Sequence, residues 1–197
     1  MTNKYKSHSL ILASRSPRRR YLLEQAGLTF TVIPSTVDEG SVPIEPPERH
    51  VRLLAEAKAT EIAELHPESW VIGADTIVLI GDGVLGKPGT VTQARQMLGA
   101  LSGKTHRVLT GYCICCKEAG RSFSETVVTK VMFKTLSKTE IDWYLNTDEP
   151  FDKAGAYAIQ GLGSFLVKGV EGSYTNVVGL PVCEVMEYLL REGVVQR

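Results

Sequence analysis

At 197 residues, with 43% hydrophobic and 22% charged residues, the chain has the composition of a soluble globular protein and length enough for one domain over residues 1–197, with room for two lobes. Lys+Arg and Asp+Glu balance at 22 each, so there is no overall positive field to hold nucleic acid or an anionic membrane, and any phosphate binding has to be local. No apolar run approaches the roughly 20 residues of a membrane helix, and the N-terminal MTNKYKSHS has no apolar core following its lysines, so a cytosolic protein without a signal peptide is expected.

Leu10 to Ala13 reads as a short strand, followed by Ser14-Arg15-Ser16-Pro17 and a helix over Arg18 to Ala26. Ser16 suits the N-cap, Pro17 the first helical position and Gly27 a left-handed C-cap, with Leu22, Leu23 and Ala26 as the core face. The strand thus feeds a helix N-terminus, where free N–H groups and the helix dipole favour an anion. Arg18, Arg19 and Arg20 stand in that first turn, the wrong end for cations on dipole grounds. Arg20 is readily explained as a solvated basic residue, whereas Arg18 and Arg19 suggest phosphate or base contacts matched by guanidinium forks.

Thr29 to Ile33 alternates like a second strand, and Pro34 to Pro47 is a polar, proline-punctuated stretch carrying Asp38 and Glu39. A helix over Glu48 to Leu65 follows, with Val51, Leu54, Lys58, Ile62 and Leu65 at steps of three and four. Lys58 therefore sits in the apolar stripe, either snorkelling to its rim or held as a phosphate ligand.

Trp70 to Leu79, WVIGADTIVL, is an apolar strand interrupted by Asp75. A buried ionised carboxylate costs several kcal/mol or more unless it is paired, so Asp75 either satisfies a turn at the strand end or has a chemical task. Ile80 to Val84 reads as a hairpin that returns to Gly86-Lys87-Pro88, bringing Lys87 towards Asp75 or Thr76 in a register the sequence leaves open.

Thr92 to Leu101 is a helix, Lys104 to Cys116 and Arg121 to Phe133 form a long hairpin, and Ser137 to Leu145 is a helix capped by Ser137 or Thr139. His106 is read as structural. The four cysteines, three of them crowded into YCICC, fit neither a disulfide framework nor zinc-ligand spacing and are expected to be small buried apolar residues. The last third is rich in glycine, with Lys153 and Gln160 as the polar side chains of its tightest part. Leu180 to Leu190, led by Pro181, reads as a closing helix.

Taken together, LILASRSPRR, VIGADTIV, LGKP, LSGKTHRVLTG, DKAGAYAIQG and GSYTNVVGLP resemble, in order and with spacings intact, the Maf family of nucleoside triphosphate pyrophosphatases. The resemblance implies an α/β fold akin to the inosine triphosphate pyrophosphatases: a mixed twisted sheet with flanking helices, two lobes around a central cleft, and often a homodimer. It implies hydrolysis of a triphosphate to the monophosphate and pyrophosphate with Mg2+ or Mn2+. The family's proton acceptor falls on Asp75 and its loop acid on Glu39, and these two acids are the candidate metal ligands, Asp75 acting as base or as ligand. Phosphate-side positions fall on Ser14, Arg19, Lys58 and Lys87, with Lys153 added from the glycine-rich segment. The branch acting on dTTP and UTP carries arginine, threonine and glutamine at its specificity positions, here Arg18, Thr76 and Gln160. Ala158 departs from a glycine common in the family. The rival expectation is a nucleotide-binding regulator of cell division and septum formation with little turnover. A nucleic-acid module is disfavoured by the charge balance and the absence of interleaved aromatic and basic residues.

Overall fold

The computed structural model describes residues 9–42 and 46–196. The N-terminal lysines and residues 43–45 of the Pro34–Pro47 stretch lie outside the described residues. In chain order the elements are β1 (Leu10–Leu12), α1 (Pro17–Gln25), β2 (Thr31–Val32), α2 (Pro47–Leu65), β3 (Trp70–Ile80), β4 (Gly83–Leu85), α3 (Val91–Leu101), β5 (Thr105–Cys116), β6 (Arg121–Phe133), α4 (Lys138–Leu145), β7 (Val167–Glu171), α5 (Tyr174–Val178) and α6 (Val182–Arg191). This is a mixed α/β fold. One seven-stranded sheet runs in the order β2-β1-β3-β5-β6-β7, with β4 paired to β3. β1 pairs in parallel with both β2 and β3, whereas β3–β4 and β6–β7 are antiparallel. Among the described residues, no helix is long and apolar enough to cross a membrane.

The chain packs as two compact units, one of Met1–Asp75, Gly111–Thr126 and Gly179–Arg197, the other of Thr76–Thr110 and Val127–Val178. In the first, β1 leads into α1 as its residues dictate. The Ser16 hydroxyl accepts from the Arg19 N–H, Pro17 opens the helix, and Gly27 follows its end at φ +74°. Leu22 and Leu23 are buried, and Ala26 is half-buried. β2 is shorter than its alternation predicts, because only Thr31 and Val32 pair with β1.

α2 lies backbone to backbone on the sheet. A Cβ added to Gly73 would stand 2.4 Å from the Ala55 carbonyl oxygen, and one added to Gly111 would stand 2.3 Å from the Val51 carbonyl. Neither contact leaves room for a side chain, which is the physical reason glycine stands at both positions. Around this contact Ile11, Ala55, Ala59, Ile62, Val71, Cys113 and Cys115 form the core. Leu65, predicted to continue the apolar stripe, is exposed in the last turn of α2. Cys113, Cys115 and Cys116 are buried as expected, but Cys183 is exposed. It stands two residues ahead of the buried Val185 on α6, roughly on the opposite side of the helix from it.

In the second unit, Val78, Leu98, Val108, Val131, Phe133, Tyr144, Tyr157 and Leu166 belong to one core. α4 begins with a capping box, in which Ser137 and Glu140 bond each other's backbone N–H. β7 and α5 form where glycine density alone had suggested bends.

His106 is buried in this core, with Nε2 hydrogen-bonded to the Tyr157 hydroxyl at 2.8 Å and the ring edge-on to Phe133. Its Nδ1 has no partner, so protonation would bury an unsatisfied N–H as well as a charge. Burial accordingly pushes the imidazole down to about 4 from 6.5. Below pH 6.5 the unfolded chain takes up a proton that the folded protein refuses until about pH 4. Stability therefore falls as pH drops through that window, by about 3 kcal/mol from this group. Denaturant unfolding followed from pH 7 to pH 4 checks this: His106→Gln should flatten the acid-side slope by one proton.

Candidate active site

In the first unit, five of the residues expected at the site come together at the end of β1 and along β3. Beyond Leu12 the chain remains bonded to β3 through the Ala13 N–H and the Ile72 carbonyl, which carries the buried Ser14 to the start of α1. The Ser14 hydroxyl accepts from the Ser16 N–H at 3.2 Å and from Arg19 Nη1 at 3.1 Å. Arg19 Nη1 also donates to the Ala74 carbonyl at 2.8 Å, and Nε to the Gly179 carbonyl at 2.8 Å. Burial lowers the pKa of this guanidinium, while Asp75 and Glu39 counter the shift and Arg18 adds to it. Arg19 is thus braced against the backbone immediately before Asp75. Arg20 pairs with Glu24 one turn on and is exposed, as a solvated basic residue should be. Arg18 is half-buried.

Asp75 lies inside β3, not at its end, and is buried with 8% of its surface exposed. The cation beside it is Lys58. The Lys58 ammonium donates to Asp75 Oδ1 at 2.8 Å and to Glu39 Oε1 at 2.6 Å. Lys58 is as buried as Asp75, so it does not snorkel to the rim of α2. Glu39 sits in a short 3-10 turn, Glu39–Ser41, shaped by Asp38 accepting from the Gly40 N–H, and its side chain is 62% exposed. One ammonium thereby joins a buried acid to an exposed one.

This arrangement bears on a metal. No group of three or more His, Cys, Asp or Glu capable of holding an ion exists among the described residues. Asp75 and Glu39 nevertheless converge on one point, the Lys58 ammonium. Two carboxylates with the remaining ligands left to phosphate oxygens and water is the sparse oxygen set that Mg2+ accepts. The donor set fits such an ion.

The second unit holds the other expected residues. The Thr76 hydroxyl lies 2.9 Å from that of Thr110, which in turn donates to the Asn176 carbonyl at 3.0 Å. Lys87 is exposed, two residues past β4, whose register pairs Val78 with Leu85 and, if continued, aligns Lys87 with Thr76. The Gly155 N–H donates to the Gly86 carbonyl at 3.0 Å, pinning the glycine-rich segment beside Lys87. Gly155 adopts φ +72°, and a Cβ there would press on Val78 at 3.2 Å. Lys153 donates to the Glu149 carbonyl at 2.6 Å and to Asp152, so its ammonium is engaged within its own turn. Gln160 is half-buried at the start of the 3-10 segment Gly161–Leu166 and makes no capping bond to it.

Sequence reasoning missed what shapes this segment. The Glu149 carboxylate accepts from the N–H groups of Leu162 and Gly163 and from the Tyr144 hydroxyl, which itself accepts from the Ala158 N–H. Glu149 in TDEPFDK looks like any loop acid, and only the spacing of backbone N–H groups after Gln160 could have hinted at its task. Ala158 is buried, and its carbonyl would lie 2.4 Å from a Cβ at Gly163. The segment flanking Gln160 is close-packed.

The Glu39–Lys58–Asp75 cluster thus joins a short turn, α2 and the middle of β3 on a mixed α/β sheet. Residues 9–192 match the family model described as Maf, Maf-like protein, and the chain belongs to that family. It is 49% identical over 187 residues to the dTTP/UTP pyrophosphatase of Syntrophus aciditrophicus, covering 95% of this chain and 91% of that protein. It is 51% identical over 185 residues to the dTTP/UTP pyrophosphatase of Myxococcus xanthus, covering 93% and 92%. It is also 50% identical over 184 residues to that of Halalkalibacterium halodurans, covering 93% and 96%.

Proposed function

We propose that the protein hydrolyses dTTP and UTP, and modified pyrimidine triphosphates of the same class, to the monophosphate and pyrophosphate. Residues 1–197 act as one nucleotide pyrophosphatase domain, in the cytoplasm and as a homodimer, in nucleotide-pool sanitation. The observation that carries this reading is the Glu39–Lys58–Asp75 cluster, a buried acid hydrogen-bonded to a buried lysine in a chain about half identical to dTTP/UTP pyrophosphatases.

In this reading Asp75 orients and deprotonates the water that attacks the α-phosphorus, and pyrophosphate leaves. Arg19, Lys58, Lys87 and Lys153 offset charge on the triphosphate, and Ser14 accompanies Arg19 at the turn. Glu39, joined by Asp75 if that residue serves as ligand in place of base, would hold Mg2+ or Mn2+, which when bound supplies further positive charge to the phosphates. Thr76, the next residue of the same strand, begins the second set: Arg18, Thr76 and Gln160 hydrogen-bond the base.

The test is a panel of canonical and modified triphosphates, with Mg2+ and with Mn2+, scored for pyrophosphate release. Release from dTTP and UTP above the purine nucleotides supports the reading, while tight binding without release from any of them would make the protein a nucleotide-binding regulator instead. Gln160→Ala is expected to lower kcat/KM for UTP by about tenfold relative to a purine triphosphate, because a polar site left unpaired discriminates strongly. An equal loss on both would assign Gln160 to the packing of its segment.

A further inference from the structure

The Thr76 and Thr110 hydroxyls lie 2.9 Å apart, and on distance alone either could be the donor. Thr110 decides between them. Its oxygen also lies 3.0 Å from the backbone carbonyl of Asn176, and since a carbonyl only accepts, the single hydroxyl proton of Thr110 is committed there. The proton in the Thr76–Thr110 bond therefore belongs to Thr76. The Asn176 carbonyl takes this bond because α5 ends at Val178, which leaves its last carbonyls without helical donors.

The acceptor is itself fixed. The Asn176 side-chain amide donates to the Val108 carbonyl at 3.1 Å and to the Thr129 hydroxyl at 2.9 Å, and Thr129 donates to the Ser173 carbonyl at 3.2 Å. Thr110, Thr129 and Asn176 are fully buried, so solvent offers Thr110 no alternative acceptor. A hydroxyl that has donated its one proton presents only lone pairs to any further group.

We propose that Thr110 and Asn176 are positioning residues that hold Thr76 as an obligate acceptor, and that the site thereby selects pyrimidines bearing an N–H at ring position 3. Uracil and thymine carry that N–H, whereas cytosine has a lone pair there. Two lone pairs facing each other repel and leave both acceptors unpaired. A methyl at ring position 5 does not enter this contact, so uracil and thymine nucleotides are treated alike. The inference rests on the reading of Thr76 as a base contact.

Pyrophosphate release is measured for UTP, CTP, 5-methyl-UTP and 3-methyl-UTP with the unmodified protein, Thr110→Val and Thr110→Ser. Thr110→Val frees the Thr76 proton to donate, so the UTP to CTP ratio of kcat/KM is expected to fall about tenfold, with Thr110→Ser restoring it. Because the ratio compares two substrates on the same folded molecules, a loss of stability does not move it. With the unmodified protein, 3-methyl-UTP is expected to react about tenfold more slowly than UTP and 5-methyl-UTP equally well. This comparison decides alone if Thr110→Val does not fold. An unchanged UTP to CTP ratio in Thr110→Val, or 3-methyl-UTP turned over like UTP, overturns the proposal while leaving the pyrophosphatase reading intact. No release from UTP or dTTP by the unmodified protein would overturn that reading and this inference with it.

Discussion

Replacing Asp75 with asparagine is expected to slow pyrophosphate release from UTP by about 10²–10⁴-fold, the usual contribution of a positioned general base. Asparagine keeps the shape of the side chain and an oxygen that can accept from Lys58, so the cluster's geometry survives while its proton acceptor does not. Removing a negative charge from beside the triphosphate should, if anything, tighten binding. The expected pattern is therefore a fall in kcat with KM held or lowered, read from steady-state kinetics alongside calorimetric titration of the nucleotide. Near-normal turnover would remove Asp75 from the chemistry. A matched loss of binding and turnover would assign it to substrate or metal binding instead.

Lys58→Met is the second substitution with a large expected effect, and it reads first on stability. Methionine fills the space of the lysine stem but leaves Asp75 inside β3 without its cation. Breaking a buried ion pair by removing one partner typically costs about 3–5 kcal/mol, since the remaining charge stays desolvated. The Glu39 side of the cluster adds little, because that carboxylate is mostly in solvent. Denaturant unfolding gives the cost directly. The double variant with Asp75→Asn should recover most of it, since no orphan charge then remains, and that non-additivity separates the pair from a general packing defect. Equal stability of Lys58→Met and the unmodified protein would show that Lys58 does not balance Asp75.

Much of this was legible where a single residue type has a single physical reason to be present. Ser16, Pro17 and Gly27 marked both ends of α1, and an acid within WVIGADTIVL marked the strand on which the Glu39–Lys58–Asp75 cluster forms. Lys58 was conspicuous for the same reason, as a charge in an apolar stripe. What periodicity could not supply was its partner: the hairpin pointed to Lys87, but the ammonium at Asp75 comes from a helix 17 residues earlier in the chain. Leu65 kept the stripe's spacing yet is exposed, because spacing tells which face a residue occupies and not how far along the helix the core continues. β7 was hidden for a related reason. Its glycines read as bends, and it is a strand because β6 pairs with it from Lys130 to Phe133. Thr110 and Asn176 were the least legible of all, since their roles depend on a hydrogen bond spanning 66 positions. The family, by contrast, was legible in several long motifs agreeing together, which no single-residue argument could match.

The glycine contacts beneath α2 bear on how the protein could be redesigned. With Gly73 and Gly111 letting backbone meet backbone, the spacing between the helix bearing Lys58 and the strand bearing Asp75 is a mechanical stop. It does not depend on the volume of the side chains around it. Cys113, Cys115 and their aliphatic neighbours can then be exchanged for other residues of similar size, for instance to remove oxidisable thiols, without re-tuning the reach of the lysine. The two glycines are the positions such an effort has to leave alone.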